Sequence, residues 1–430
     1  MGPSGSQAIA YKIKCRPADF QVTEELSVDV LSSGKHRLYR LQKSGWNTTD
    51  ALHSICTRKK IPRDSFAYAG KKDRHALTHQ YVSSARPEDL SITLKNFKLA
   101  SVGFLDRPVG PDLIHCNRFD IVIRNLRSDA PELVLYKLKQ VGITGVPTYF
   151  DDQRFGSYDT REGHALHKLL VAGPEQFAYL LVTGIQPAIG PRERKRKLAI
   201  REAWPDMDAC AALGADGKFK RFFDYMRRNP ENWSAALDAL PKEELGMSIS
   251  AYQSHLWNQF LRRFYGEVAD AVAFAPGLAG DYFFYDVRVD RETESDVAEQ
   301  SVGSVGSVGA LPDLTLELPG KKQQVGAYAQ HTEKSRNEYK DVIENCWREI
   351  FLEEQIDWES LSRPFPGGRS MDSFFRRTLF RPMDVETTIA TDEMYPRRKK
   401  INLSFRLDRG MYATMLIKAI TSRSMRNANH

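Results

Sequence analysis

Cysteine is scarce and scattered in this sequence. The five thiols, Cys15, Cys56, Cys116, Cys210 and Cys346, include no C-x-x-C pair. A disulfide framework and a cysteine-based zinc site are therefore excluded as organising features, and a reducing, cytoplasmic setting is expected. Long apolar runs are missing too, so no membrane span is expected. The opening MGPSGSQAIA lacks the basic-then-apolar pattern of a secretory leader and reads as a flexible lead-in. It fits the spacing of a myristoylation motif, a match weakened by its early proline and serine. No phosphate-cradling G-x-x-x-x-G-K-[ST] or strand-G-x-G-x-x-G element occurs, so nothing calls for a nucleotide cofactor. The pairs His75/His79 and His164/His167 have no acid or cysteine at ligand spacing, so ordinary polar contacts are expected there and no metal.

Clustered positive charge is what the chain does have. The net charge is +7 over 430 residues, and much of it falls in runs. These are TRKK (Thr57–Lys60), Lys71–Lys72, PRERKRK (Pro191–Lys197) and YPRRKK (Tyr395–Lys400). KFKRFFDYMRR (Lys218–Arg228) interleaves cations with Phe219, Phe222, Phe223 and Tyr225. Cations that neutralise phosphates give salt-sensitive nucleic-acid binding, and aromatics stack on unpaired bases. The competing reading for any one run is a solvated helix face whose aromatics belong to the core.

The length suggests two domains or three, and a hydrophobic content of 41% supports a sizeable core. HRLYRLQK (His36–Lys43) is strand-like. NTTDALHSICTRKKIP reads as a helix capped by Thr48 or Thr49 and stopped by Pro62. SFAYAG and QYVSSA read as short strands. RFDIVIRNL alternates Phe119, Ile121 and Ile123 against Asp120 and Arg124, the pattern of a half-buried strand. SDAPELVLYKLKQVG follows as a helix capped at Ser128 or Asp129, with Pro131 in its first turn. Helical patterns dominate from Arg161 to Phe264, including SISAYQSHLWNQFLRRFY. KINLSFRLDRG returns to strand alternation, and GMYATMLIKAITSR closes as a helix. The expected fold is α+β: a mixed, largely antiparallel sheet with helices, interrupted by a mainly helical α+β insertion. The boundaries expected are 1–159 with 376–430 for the sheet domain and 160–375 for the insertion. Residues 291–310, acidic and then three Ser-Val-Gly repeats, are too poor in large apolar groups to pack and are expected to be mobile.

One acid stands out. In AYAGKKDRHALTHQ (Ala67–Gln80), Asp73 is the lone carboxylate among Lys71, Lys72, Arg74, His75 and His79. Nearby cations favour the ionised form, which makes Asp73 a poor general acid at neutral pH. It suits a nucleophile, or the stabiliser of a cationic sugar centre in glycosyl chemistry. The ordinary alternative is a turn aspartate with surface partners.

The segment GKKDRHALTHQ resembles the signature loop of the TruD family of tRNA pseudouridine synthases, G-x-K-D-x-x-A-x-T-x-Q. Four further stretches agree in order. IKCRPADFQVTEE resembles K-x-x-P-E-D-F-x-V-x-E, departing at Ala18. CNRFDIVIRN resembles a G-N-x-F strand, with Cys116 for glycine. GVPTYFDDQRFG resembles G-x-P-N-Y-F-G-x-Q-R-F-G, with Thr148 for asparagine and Asp151 for glycine. RLDRGMYATMLIKAI resembles the closing G-[SF]-[YF]-A-T helix. The resemblance covers the first 156 residues and the last few dozen. The middle matches mainly at SISAYQSHLWNQF.

The resemblance implies isomerisation of a uridine in tRNA to pseudouridine, in this family at position 13 of the D arm, without metal or organic cofactor. It implies Asp73 as nucleophile, attacking C1′ or the uracil ring, with Lys14 pairing to it and Phe119 stacking on the uracil. Phe20, Asn117 and Tyr412 would line the base and sugar pocket. Gln80, Gln153 and Arg154 would support it or contact phosphate. Arg192, Arg194, Lys195, Arg196 and Lys197 are the expected RNA-backbone contacts. The expected partner is tRNA, with no membrane and no obligate protein partner. A non-catalytic RNA-binding or RNA-chaperone protein on the same scaffold is the alternative. It would tolerate loss of Asp73 or Lys14, and both are present. A glycosidase would want two carboxylates, and the loop has one.

Overall fold

A computed structural model describes residues 9–186, 189–214, 217–269, 272–285, 312–321 and 338–424. The opening MGPSGS and the Ser-Val-Gly tract of 291–310 lie outside the described residues. The chain divides into two compact units, one of residues 1–145 and 380–423, the other of 146–379 with the final residues.

The first unit is built on one sheet. Its strands are β1 (Phe20–Leu26), β2 (His36–Lys43), β3 (Ala67–Tyr68), β4 (Leu77–Ser84), β5 (Ile92–Leu94), β6 (Phe97–Leu105), β7 (Ile114–Leu126), β8 (Met383–Thr391) and β9 (Lys399–Asp408). The order is β8-β9-β7-β1-β4-β2-β6-β5, with β3 added on β4. Only β1–β4 is parallel; the other pairs are antiparallel. The helices are α1 (Thr48–Lys59), α2 (Ala130–Thr144) and α3 (Ala413–Thr421). The α+β class expected from the alternating patterns is what forms.

The register explains where chemistry can sit. Side chains directly opposite one another share a face. One row across five strands is therefore Lys43–Thr78–Val22–Phe119–Phe405. The neighbouring row carries Leu41 with Gln80, and Glu24 with Asn117 and Leu407. All ten of these residues are buried. The opposite face carries the row Gln42–His79–Thr23–Arg118–Arg406 and bears an open concavity of about 690 Å³. So the polar positions of the alternation face outward, while the few polar residues of the inner face (Lys43, Glu24, Thr78, Gln80, Asn117) are the exceptions that need partners.

Beside them, α1 packs Ala51, Leu52, Ile55 and Cys56 with Tyr39, Leu41 and Val82 in one apolar cluster. At the other end, Arg124 is 3% exposed and donates to both carboxylate oxygens of Asp19, at 2.9 and 2.8 Å. It also donates to Asp392 at 3.0 Å. That cluster ties the start of β1 and the β8–β9 turn to β7.

One expectation about caps is corrected, and another is met in position only. Asn47, not Thr48 or Thr49, occupies the N-cap of α1, and its amide bonds Asp50. The Thr48 hydroxyl is engaged elsewhere, as described below. Asp129 does sit at the N-cap of α2 but makes no capping bond, pairing instead with Arg127. The strands β1, β5, β6 and β8 have no counterpart among the strands expected from alternation. β1 does alternate, with Phe20 and Val22 buried between Gln21 and Thr23, but it is short and follows directly on the Pro17–Asp19 turn; β8 is an edge strand whose residues are nearly all exposed, so it carries no burial alternation.

The second unit is mainly helical, as its composition suggested. Its longest helix, Lys242–Val268, buries Leu256, Trp257, Phe260 and Phe264 completely, and Trp347 stacks on Phe260 at 4.7 Å. Its strands are short and mostly in antiparallel pairs, among them Val272–Ala275 with Tyr282–Tyr285, Thr315–Glu317 with Phe375–Arg377 and Tyr158–Asp159 with Gly163–His164. No helix among the described residues is long and apolar enough to cross a membrane.

Candidate active site

Asp73 lies in the loop between β3 and β4, at the edge of the inner-face rows. Its Oδ2 accepts from the Lys14 ammonium at 2.5 Å, and its Oδ1 accepts from the backbone N–H of His75 at 2.9 Å. The carboxylate is 18% exposed and Lys14 25%, so the pair is sheltered yet reachable. Burial works to raise the Asp73 pKa. The Lys14 bond and the His75 N–H outweigh it, and the net shift is downward from the ordinary value. The group is therefore an anion throughout the neutral range, competent as a nucleophile and unable to donate a proton.

Lys14 reaches it from an unusual backbone. Its φ is +57°, a left-handed conformation that costs a residue with a Cβ roughly 1–2 kcal/mol. Its ammonium also lies 4.4 Å from the centroid of the Phe20 ring. Phe20 meets Phe119 edge-on at 6.3 Å, and Phe119 stacks on Phe405 at 5.4 Å with 18° between planes. Asp73, Lys14, Phe20 and Phe119 thus form one chain of contacts from anion to aromatic wall. Phe119 is 7% exposed, backed by Phe405.

Asn117 joins through a residue that the sequence analysis does not single out. Lys72 donates to Asn117 Oδ1 at 3.1 Å and pairs with the buried carboxylate of Glu24 at 2.6 Å. The other oxygen of Glu24 accepts from the backbone N–H of Tyr81. The signal for both is present: Lys72 precedes Asp73 in the signature, and Glu24 closes the K-x-x-P motif. Gln80 is wholly buried and works on the loop itself. It donates to Gly70 O and accepts from the Thr48 hydroxyl, which in turn accepts from Lys72 N–H. Tyr412 sits half-buried at the N-cap of α3.

The four departures from the family motifs have local accommodations. Ala18 is exposed in the short turn Pro17–Asp19. Cys116 is buried, its thiol donates to Glu25 at 3.4 Å, and burial first and that carboxylate second push its pKa up to about 11. Thr148 donates its hydroxyl to Arg377 O at 2.5 Å. Asp151 is buried at the N-cap of the turn Asp152–Phe155.

The remaining expected residues belong to the second unit. Gln153 and Arg154 are exposed in the turn Asp152–Phe155, where Arg154 donates to Ser254. The basic run forms the helix Pro191–Ala203, with Arg192, Arg194 and Lys195 exposed. Arg196 is bound to Glu193 through two hydrogen bonds. Lys197 differs: it is 5% exposed, and its ammonium donates inward to Gly184 O at 2.6 Å. In Lys220–Arg228, Phe222 and Phe223 are buried, Tyr225 is half-buried and the cations are outside, so the two phenyl rings follow the core reading left open for that run. No group of three or more His, Cys, Asp or Glu among the described residues is arranged to hold a metal.

Comparison with known proteins returns one family. The family model for tRNA pseudouridine synthase D (TruD) matches residues 4–420. The tRNA pseudouridine synthase D of Leptospira interrogans is 30% identical over 425 residues, 97% of each chain. That of Aquifex aeolicus is 26% identical over 417 residues, covering 95% of this chain and 97% of its own. A crystal structure of a Methanosarcina mazei protein assigned to TruD aligns with a TM-score of 0.66 over 96% of this chain and 94% of that one. Its sequence is 21% identical, so it supports the fold alone.

Proposed function

The chain belongs to the TruD family of tRNA pseudouridine synthases, and on that premise we propose that it converts uridine 13 in the D arm of tRNA to pseudouridine, with Asp73 as the nucleophile and no cofactor. The observation that carries this is the Lys14–Asp73 pair, a half-sheltered anion whose pKa is held down, at the edge of an aromatic wall.

The reaction breaks the N1–C1′ bond, turns the uracil and forms C5–C1′. C5 loses its proton to solvent and N1 gains one. Asp73 acts by adding to C1′ as N1 leaves and being displaced when C5 attacks C1′, or by adding to the uracil ring before the N1–C1′ bond breaks and being eliminated after C5–C1′ forms; either needs the ionised carboxylate that Lys14 and the His75 N–H maintain. The target must leave the base stack, which costs roughly a few kcal/mol. Phe119, supported from behind by Phe405, gives the freed base a flat apolar surface, and an aromatic face tolerates rotation of a ring lying on it. Phe20, Asn117 and Tyr412 would complete the pocket. Gln80 would hold the loop, and Gln153, Arg154 and the exposed cations Arg192, Arg194 and Lys195 would meet phosphates.

The direct test is to incubate an unmodified tRNA transcript with the protein and map pseudouridine along it. Modification at position 13 is expected. A transcript left unmodified, or modified only elsewhere, contradicts the reading.

A further inference from the structure

Lys43 is the last residue of β2 and is 0% exposed. Its neighbours on the same face include Leu41, and nothing in the strand pattern asks for an ammonium there. A buried charge survives only with partners. Lys43 has two: it donates to the carbonyl of Lys72 at 3.2 Å and to that of Asp73 at 3.0 Å. These carbonyls lie on either side of the Asp73 Cα, so one ammonium brackets the residue that carries the carboxylate.

The bracket is part of a longer template. Gly45 N–H donates to Arg74 O at 3.0 Å, and the Arg74 guanidinium returns a bond to Gly45 O at 3.1 Å. Thr48 accepts from Lys72 N–H and donates to Gln80, which donates to Gly70 O. The stretch Lys43–Thr48 therefore reads the loop's backbone at residues 72, 73 and 74 directly and at 70 through Gln80. The neighbouring charges are Asp73 and Lys72, with Lys14 on the far side of Asp73 and Glu24 on Lys72.

We propose that Lys43 is a positioning residue for the isomerisation, its ammonium fixing the Asp73 backbone so that the carboxylate is aimed at the reacting nucleoside. This rests on the reading of Asp73 as nucleophile. A displacement of about 1 Å in an attacking group can cost roughly 100-fold in rate.

Burial, partly offset by the Asp73 charge and reinforced by Lys72, lowers the Lys43 pKa to about 8. Above that pH the charge-assisted bonds become ordinary amine bonds and the bracket weakens. The sign for stability is the opposite. A lysine whose folded pKa lies below its unfolded value adds stability as pH rises from the folded pKa toward 10.5, because the unfolded chain then binds the extra proton. A positioning role and a structural role are thus separable by pH.

The experiment measures kcat, KM for tRNA and the melting temperature of the wild type, Lys43→Met and Asp73→Asn, and the wild-type rate from pH 6 to 9. For Lys43→Met, kcat should fall roughly 100-fold at a temperature where both proteins are folded, with KM little changed; melting should drop somewhat, because the Lys72 and Asp73 carbonyls lose their buried donor. The wild-type rate should decline above pH about 8. A Lys43→Met kcat equal to wild type overturns the inference, as does a decrease that weaker tRNA binding accounts for. Should that variant fail to fold, Lys43→Gln is measured in its place under the same criteria. Turnover by Asp73→Asn instead defeats the nucleophile reading and this inference with it. An inactive Asp73→Asn beside a fully active Lys43→Met defeats this inference only.

Discussion

The Lys14 ammonium lies 2.5 Å from Oδ2 of Asp73, a residue 59 positions further along the chain. This hydrogen bond sets the ionisation of the carboxylate, because the Lys14 and His75 hydrogen bonds offset a burial effect that acts upward. Lys14→Met removes the larger of these two bonds. The Asp73 pKa should then rise, and the acid limb of the rate should move to higher pH, with the rate at neutral pH also reduced. A pH–rate profile of the two proteins checks this. An acid limb at the same pH in both would mean that Lys14 does not govern the carboxylate.

The exposed cations of the helix Pro191–Ala203 should act on affinity rather than on chemistry. Removing one cation that neutralises a phosphate reduces the slope of log K against log salt by roughly 0.7–0.9. The triple change of Arg192, Arg194 and Lys195 to Ala should weaken tRNA binding and flatten that slope by about 2–3, leaving the single-turnover rate at saturating enzyme unchanged. Lys197→Met should leave the slope alone, since its ammonium is turned inward to Gly184 O. Titrations at several salt concentrations decide it, and an unaltered slope in the triple variant removes the helix from the interface.

Arg124 concerns the fold. Its guanidinium satisfies the buried Asp19 and Asp392 together. Arg124→Ala leaves both carboxylates unpaired, and breaking such a cluster costs roughly 3–5 kcal/mol. Replacing the set by apolar residues would be far milder. Urea unfolding of the variant is the measurement, and a destabilisation below about 1 kcal/mol would show that the cluster relaxes to water.

The fold class was legible in strands with strong alternation. HRLYRLQK is β2 over its whole length, and KINLSFRLDRG covers all of β9 but its first residue. Strand β8 was not legible, because exposed residues at a sheet edge leave no periodic signature. β1 was overlooked rather than silent, since Phe20 and Val22 alternate with Gln21 and Thr23 just after Pro17. In the candidate site, Asp73 drew attention as a lone acid among cations, but only the signature-loop resemblance set it apart from an ordinary turn aspartate. Lys43 and Thr48 were not legible. Lys43 reads as the polar end of a strand and Thr48 as a cap, and only register brings them beneath the loop. In Lys218–Arg228 composition left stacking and core roles both open, and helical phase puts Phe222 and Phe223 in the core while Tyr225 stays half-buried.

The central claim is that the Asp73 carboxylate performs the covalent step. The measurement closest to it is tritium release from tRNA labelled at uracil C5, run with wild type and Asp73→Asn alongside a tRNA-binding assay. Release by the wild type, none by the variant and equal binding by both is the predicted result. Release by Asp73→Asn at a comparable rate would contradict the account.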